Sequence, residues 1–306
     1  MTRGESPQGV IAGVDGSACS TTAVQWAAHD AELRGVPLTL VYVVAPIILA
    51  AEPWPEVTAP AEYTQWQEDE ADQALARARE AALAASALSA EQVSTEILHG
   101  PIVSTLVDLS DSADLFVVGC RGQGAVSRAL LGSVSSGLVH HAHCPVAVIH
   151  EETPPTAATA GAPVIVGIDG SACSEYATEI AFDEASRRGV DLVAMHAWSD
   201  MGPIDFASVN WAPIEWRNIK VAEEEVLAER LAGWRERYPD VTVHRHVVCD
   251  RPTPRLLERA QSAQLIVVGS HGRGGFEGML LGSVGAAIVN SALIPVIVAR
   301  TRSAKS

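Results

Sequence analysis

The sequence predicts an α/β protein made of two tandem doubly wound units, each a five-stranded parallel sheet with four helices. Three observations carry that expectation. The chain repeats itself: "GVDGSACS" (13–20) returns as "GIDGSACS" (167–174), "LFVVG" (115–119) returns as "LIVVG" (265–269), and "LLGSV" stands unchanged at 130–134 and 280–284. Each copy alternates near-continuous apolar runs with longer helical stretches, the pattern of parallel strands covered on both faces and joined by right-handed crossovers. Finally, 306 residues suit two domains of roughly 150 each.

In the first copy, "GVIAGVD" is a short apolar run ending at Asp15 and reads as the first strand, followed by a helix carrying Ala23, Ala27, Ala28 and Ala31. "LTLVYVV" (38–44) is the second strand, a long loop follows, and an Ala-rich helix is expected around 67–87. "VSTEIL" (93–98) is the third strand, a helix lies near 102–111, and "DLFVVG" (114–119) is the fourth. A glycine-bearing loop, a helix from about 133 and "PVAVI" (145–149) complete the unit. Asp15 recurs 154 positions later as Asp169, whereas Gly119 recurs only 150 later as Gly269. The first copy therefore holds extra residues between its second and third strands. "EETPPTAATAGAP" (151–163) is rich in Pro, Ala and Thr and reads as a linker between domains at 1–150 and 164–306.

Composition narrows the partners. The formal net charge of −16 leaves no basic stripe to neutralise phosphates, which argues against nucleic acid but not against a nucleotide held by a few local donors. "MTRGESPQG" has no apolar core after Arg3, so no signal peptide is expected. The run "VPLTLVYVVAPIILAA" (36–51) falls short of the ~20 residues a bilayer span needs and is broken by Pro46. A soluble, cytoplasmic protein without a membrane partner is expected. The five cysteines are scattered, odd in number and without a CxxC pair, which suits reduced thiols better than a disulfide framework.

Open α/β sheets bind ligands beyond the carboxyl ends of their strands, where strand order reverses. Asp15 and Asp169 end the first strands; Gly119 and Gly269 end the fourth. If those strands are neighbours, both motifs line one crevice. A carboxylate there can accept hydrogen bonds from ribose hydroxyls or an adenine amino group. The loop glycines suit positive φ or a backbone lying close to a ligand. Ser133 and Ser283 read as N-caps of the next helix, whose amides and dipole would face phosphate. The competing reading makes the carboxylates caps of the "DGS" turns and the glycines mere tight turns; retention of both motifs in both copies favours a site.

Other patterns fail or stay bland. No Lys follows the glycines as a GxxxxGK[ST] loop requires, and a GxGxxG fingerprint belongs after the first strand. No GxSxG elbow surrounds Ser133 or Ser283. "HHAHC" (140–144) becomes "NSALI" in the second copy and reads as a helix end favoured by the dipole, and "HRH" (244–246) reads as an exposed strand face. Trp54, Trp66, Trp198, Trp211 and Trp216, in the two long loops, read mainly as packing.

Both copies carry the spacing G-x₂-G-x₉-G-[ST], at Gly119, Gly122, Gly132 and Ser133 and at Gly269, Gly272, Gly282 and Ser283. With its place after the fourth strand, this resembles the nucleotide-binding class of tandem universal stress proteins, over nearly the entire chain. The resemblance implies Rossmann-like domains of the adenine nucleotide α-hydrolase-like kind, with ATP and Mg²⁺ in the crevice between strands one and four. It implies that Asp15 and Asp169 contact the nucleoside and that Val43 and Ala197 contact adenine, Ala197 being smaller than the usual aliphatic. Gly119, Gly122, Gly132, Ser133 and Val134, and likewise Gly269, Gly272, Gly282, Ser283 and Val284, would surround ribose and phosphates. Arg121 and His271 are polar neighbours within those loops. Arg121 and Arg128 give the first loop more positive charge than His271, Arg273 and Glu277 give the second, so the first half is expected to hold a triphosphate more tightly.

The family resemblance further implies pairing through the last strands, "PVAVI" and "PVIVA", hence an intramolecular pseudo-dimer of the two domains, with a homodimer of the chain left open. The expected function is an ATP-binding, nucleotide-dependent stress regulator. A slow ATPase or phosphotransferase using the same sites, and a protein-interaction module with a degenerate pocket, are the alternatives.

Overall fold

A computed structural model describes residues 9–46, 61–122, 131–150, 161–197, 213–272 and 280–300. Contacts divide the chain into two compact units that change over at Glu151 and Glu152.

The first unit runs β1 (Val10–Gly13), α1 (Ala18–Arg34), β2 (Leu38–Val44), α2 (Ala61–Ala85), β3 (Val93–His99), α3 (Ile102–Leu109), β4 (Leu115–Gly119), α4 (Ser133–His141) and β5 (Val146–Ile149). Its strands lie in the order β3-β2-β1-β4-β5, every pair parallel. The second unit repeats this with β6 (Val164–Gly167), α5 (Ala172–Arg188), β7 (Leu192–Ala197), α6 (Pro213–Arg237), β8 (Val243–Val248), α7 (Pro252–Ala260), β9 (Leu265–Gly269), α8 (Ser283–Ser291) and β10 (Val296–Ala299), ordered β10-β9-β6-β7-β8 and again parallel throughout. The doubly wound α/β class is thus the observed one. Strand order reverses between β1 and β4, and between β6 and β9, so each pair opens a crevice at its carboxyl ends.

Sequence explains the layers. The central strands are apolar at every position but the last: Leu115 to Val118 and Leu265 to Val268 are buried, and only the terminal glycines reach the surface. β3 sits at the sheet's edge and shows it, with Ser94, Thr95 and Glu96 exposed. α1 presents Ala23, Ala27, Ala28 and Ala31, all fully buried, so small side chains let the helix lie close on the sheet. Both first helices stop the same way, at Gly35 and Gly189 with φ of 67° and 64°, where only glycine is unstrained. Each also tucks a carboxylate under its last turn. Asp30 takes the Arg34 guanidinium at 2.5 Å, and Glu184 takes that of Arg188 at 2.9 Å. The two acids are equally buried although their lengths differ.

Several boundaries differ from expectation. α2 begins at Ala61 rather than near residue 67. β1 ends at Gly13, so Asp15 sits in the following turn rather than on the strand. Ser133 and Ser283 do not cap their helices: the N-caps are Gly132 and Gly282, in extended backbone, and the serines are the first helical residues. Among the described residues, no helix is long and apolar enough to cross a membrane.

Candidate functional site

The site grows out of the turn after β1. Gly16 adopts φ of 78°, which bends the chain back towards the sheet. Asp15 Oδ1 accepts from the Ser17 amide at 2.9 Å, and Ser17 Oγ in turn accepts from the Ser20 amide at 3.1 Å, capping α1. Capping and carboxylate are therefore separate jobs here: Ser17 caps the helix, while Asp15 orders the turn and keeps its other oxygen facing the β4 loop. That oxygen meets Gly122, because a Cβ placed on Gly122 would lie 2.5 Å from Asp15 Oδ2.

Each motif glycine answers a different close approach. A Cβ on Gly119 would stand 2.9 Å from the Cys19 carbonyl carbon and oxygen, so glycine lets the first turn of α1 descend onto the end of β4. Gly132 donates its amide to the Cys120 carbonyl at 2.8 Å and makes the N-cap of α4. None of Gly119, Gly122 and Gly132 has positive φ. Left-handed backbone, one of the two roles suggested for these glycines, belongs instead to Gly16 and Gly170; the close approaches of Gly119 and Gly122 are to Cys19 and Asp15. Among the described residues, no side chain caps α4. Ser135 Oγ instead donates to the carbonyls of Cys120 and Gly132, both at 3.0 Å, pinning the start of the helix to the end of β4.

These elements enclose a cleft of 570 Å³, the size of a small-molecule site. Asp15, Val43, Gly119, Arg121, Gly122, Gly132, Ser133 and Val134 all line it. Its apolar wall comes from Val14, Val41, Val43, Val118, Ile102 and Leu106. Tyr42 closes one side. Burial, followed by the negative charges of Glu70 and Asp15, pushes its phenol above the ordinary value.

The second unit rebuilds the same framework. Gly170 has φ of 79°, Asp169 Oδ1 accepts from the Ser171 amide at 2.9 Å, and a Cβ on Gly272 would lie 2.5 Å from Asp169 Oδ2. Gly269 packs on Cys173 as Gly119 does on Cys19, with a Cβ 3.0 Å from the Cys173 carbonyl carbon. Gly282 donates to the Ser270 carbonyl at 2.7 Å and lies against His271 and Gly272. Ser171 Oγ adds a bond to the His271 carbonyl at 3.2 Å.

The Universal stress protein family profile matches residues 8–150 and 162–300. The chain belongs to the universal stress protein family. It is 58% identical to universal stress protein Rv1996 of Mycobacterium tuberculosis, covering 98% of this chain and 97% of that protein. It is 51% identical to universal stress protein Rv2623 of the same organism, covering 98% and 99%. A crystal structure of a universal stress protein from Archaeoglobus fulgidus superposes with a TM-score of 0.69 at 20% identity, over 97% of this chain and 99% of that one, which shows the common fold.

Within this universal stress protein the two halves are not copies at the site. Paired register puts His196 of β7 where Tyr42 stands in β2. His196 is 3% exposed; its Nδ1 donates to the Ile168 carbonyl at 2.7 Å and its Nε2 pairs with Glu223 Oε2 at 3.0 Å. Ala197 follows at the end of β7, and Ser283 and Val284 are the first two residues of α8. Arg128, Arg273 and Glu277, on which the expected charge contrast partly rests, lie outside the described residues, as do Trp54, Trp198 and Trp211. Trp66 is 54% exposed beside Tyr63 rather than packed in the core. The histidine cluster resolves in part to local bonding, with His140 Nδ1 2.7 Å from the Ser136 carbonyl.

Tyr42, Ile102, Leu106, Ser20 and Ser135 line the cleft without having been singled out from sequence. Tyr42 had a signal, its place beside Val43 at the end of a strand. Ile102 and Leu106 had only i, i+4 spacing, which marks any packed helix face.

Proposed function

We propose that this universal stress protein binds ATP in the β1/β4 crevice of the first unit and in the equivalent β6/β9 crevice of the second, and that it acts as a nucleotide-dependent regulator in the stress response. One observation carries the reading: all eight expected site residues of the first half line a single cleft, a carboxylate and the start of α4 among them. Asp15 can accept from ribose hydroxyls, Val43 and its apolar neighbours form a wall for the base, and the amides at the start of α4 are donors for phosphate oxygens. Asp169, Ala197 and the loop from Gly269 to Val284 take the same roles in the second unit.

Mg²⁺ fits this proposal as a companion of the phosphates. Among the described residues lining the cleft, Asp15 alone is acidic, and one of its oxygens holds the Ser17 amide. The ion would therefore rest on phosphate oxygens and water, as Mg²⁺ commonly does, rather than in a protein cage. The same lining supports binding over turnover, since phosphoryl transfer wants a base or water-positioning group beside the transferred phosphate. We place the protein in the cytoplasm, a reading that fits five scattered cysteines without a CxxC pair.

The test is to denature the purified protein, separate the released small molecules, and measure thermal stability with and without ATP and Mg²⁺. Bound adenine nucleotide, up to two per chain, is expected. ATP at 100 times its Kd stabilises each occupied site by about 2.7 kcal/mol, a readily visible shift. Absence of adenine nucleotide together with no shift at millimolar ATP overturns the reading.

A further inference from the structure

We propose that Cys19 and Cys120 form a reversible dithiol–disulfide pair, a modification site seated directly beneath the β4 loop of the first unit. Their sulfurs lie 3.3 Å apart, in van der Waals contact, and both side chains are buried. Cys19 stands in the first turn of α1; Cys120 follows Gly119 at the end of β4. The contact is built into the backbone, because Gly119 is the residue that lets Cys19 come down onto the strand end. A disulfide holds its sulfurs at about 2.05 Å, so roughly 1.3 Å of further closure completes the bond.

The second unit shows that packing does not require this thiol pair. At the same place Cys173 meets Ser270, whose Oγ lies 3.6 Å from the Cys173 sulfur. The surrounding frame is the same, with Gly269 against Cys173 and Gly282 bonded to the Ser270 carbonyl. A serine therefore satisfies the fold at this position, and only the first unit can make the bond.

The chemistry assigns roles. Either thiol can donate in the bond between the two sulfurs, and the Cys19 sulfur also lies 3.5 Å from the Ile149 carbonyl. The bond with Cys19 holds Cys120 below the ordinary thiol range; burial opposes this, and Arg121 and His150 reinforce it. The same bond and burial push Cys19 up. With a hydroperoxide as oxidant, the Cys120 thiolate attacks the distal peroxide oxygen, the O–O bond breaks, and the alkoxide or hydroxide leaves with a proton, giving a sulfenic acid. The Cys19 sulfur then attacks the Cys120 sulfur; the S–O bond breaks and water departs with the Cys19 proton. Both sulfurs are oxidised by one electron each and both peroxide oxygens are reduced. A dithiol reductant reverses the bond by exchange.

Closing the bond has a structural reach. The Cys120 carbonyl accepts from the Gly132 amide at 2.8 Å and from Ser135 Oγ at 3.0 Å, and Arg121 and Gly122 come next in the chain. Drawing Cys120 towards α1 therefore shifts the anchor of α4 and the loop facing Asp15. The consequence for a ligand rests on the nucleotide reading above; the bond itself does not.

The experiment oxidises the full-length protein with a modest excess of hydrogen peroxide, quenches with N-ethylmaleimide, and maps peptides without reduction. The expected result is loss of two hydrogens from the intact mass, a single Cys19–Cys120 cross-linked peptide, and full recovery of both thiols with dithiothreitol. Cys120→Ser, which installs the pairing the second unit uses, and Cys19→Ser should each abolish the cross-link. Cross-linking to another cysteine, or oxidation of Cys120 to sulfinic acid with Cys19 still alkylatable, overturns the proposal; both are read in the wild-type protein, whatever the variants do.

Discussion

Asp15 and Gly122 claim the same space: a Cβ on residue 122 would stand 2.5 Å from Asp15 Oδ2, and Asp169 and Gly272 repeat this at the same separation. The glycine of the loop is matched to the carboxylate of the turn, so the two motifs at the ends of β1 and β4 are parts of one arrangement rather than two neighbouring ones.

Gly122→Ala should therefore force Asp15 or the loop to shift. A destabilisation of about 1–3 kcal/mol is expected from the overpacking. In the double variant Gly122→Ala/Asp15→Ala the clash disappears, so the stability cost should be markedly less than the sum of the two single changes, while ATP binding at that site stays lost. Urea midpoints of the four proteins measure this. Additive costs would show that the methyl group meets something other than Asp15.

Gly119 and Gly132 should behave differently from one another. Alanine at 119 would press within 2.9 Å of Cys19 backbone atoms, and backbone cannot swing aside, so about 1–3 kcal/mol is expected. Alanine at 132 would meet Arg121 Cα at 3.4 Å, an ordinary contact, and costs chiefly what a poorer N-cap costs, about 1 kcal/mol or less. Equal midpoints for Gly119→Ala and Gly132→Ala would contradict the assignment of separate roles.

His196→Phe should destabilise the second unit by about 1–3 kcal/mol, because it leaves the Ile168 carbonyl without its donor and Glu223 without its partner. Tyr42→Phe, which removes a hydroxyl at the equivalent place in the first unit, should cost under about 1 kcal/mol. Thermal unfolding of the two variants compares them. A larger effect at Tyr42 would show that the imidazole does not hold the second unit as its contacts indicate.

Cys120 offers a pH test. Its bond with Cys19 holds the thiol below the ordinary range, against burial and with help from Arg121 and His150, so its thiolate persists to lower pH than that of a free cysteine. An ordinary thiol, with a pKa of about 8.5, loses thiolate roughly tenfold per pH unit below that value. Iodoacetamide labelling resolved to the Cys120 peptide should thus rise less between pH 7 and 9 than that of an ordinary thiol, and Cys19→Ala, which removes the bonded partner, should restore the steep rise. A steep rise in the wild-type protein would contradict the shared-proton arrangement.

Much of this was legible because it was written twice. The repeat of "DGSACS" and of the glycine spacing located both turns and both loops, and the apolar runs located the strands. What stayed hidden depends on three-dimensional approach. A glycine before a Gly-x₂-Gly spacing cannot say whether it avoids a ligand, a carboxylate or a neighbouring backbone; Gly119 and Gly122 avoid Cys19 and Asp15 respectively. Ser133 looked like a cap because serine favours that position, yet Gly132 takes it, with Ser135 bonding back to β4. The Cys19–Cys120 contact was invisible for the simplest reason, a separation of 101 residues.

The most direct test of the central claim is calorimetric titration of ATP with Mg²⁺ into the wild-type chain, Asp15→Ala, Asp169→Ala and the double variant. Saturable binding is predicted for the wild type, one remaining site for each single variant, and at least a tenfold weaker affinity, or about 1.4 kcal/mol, for the double variant. Binding by the double variant at wild-type affinity and stoichiometry, or no binding by the wild type freed of copurified nucleotide, would contradict a nucleotide site built on Asp15 and Asp169.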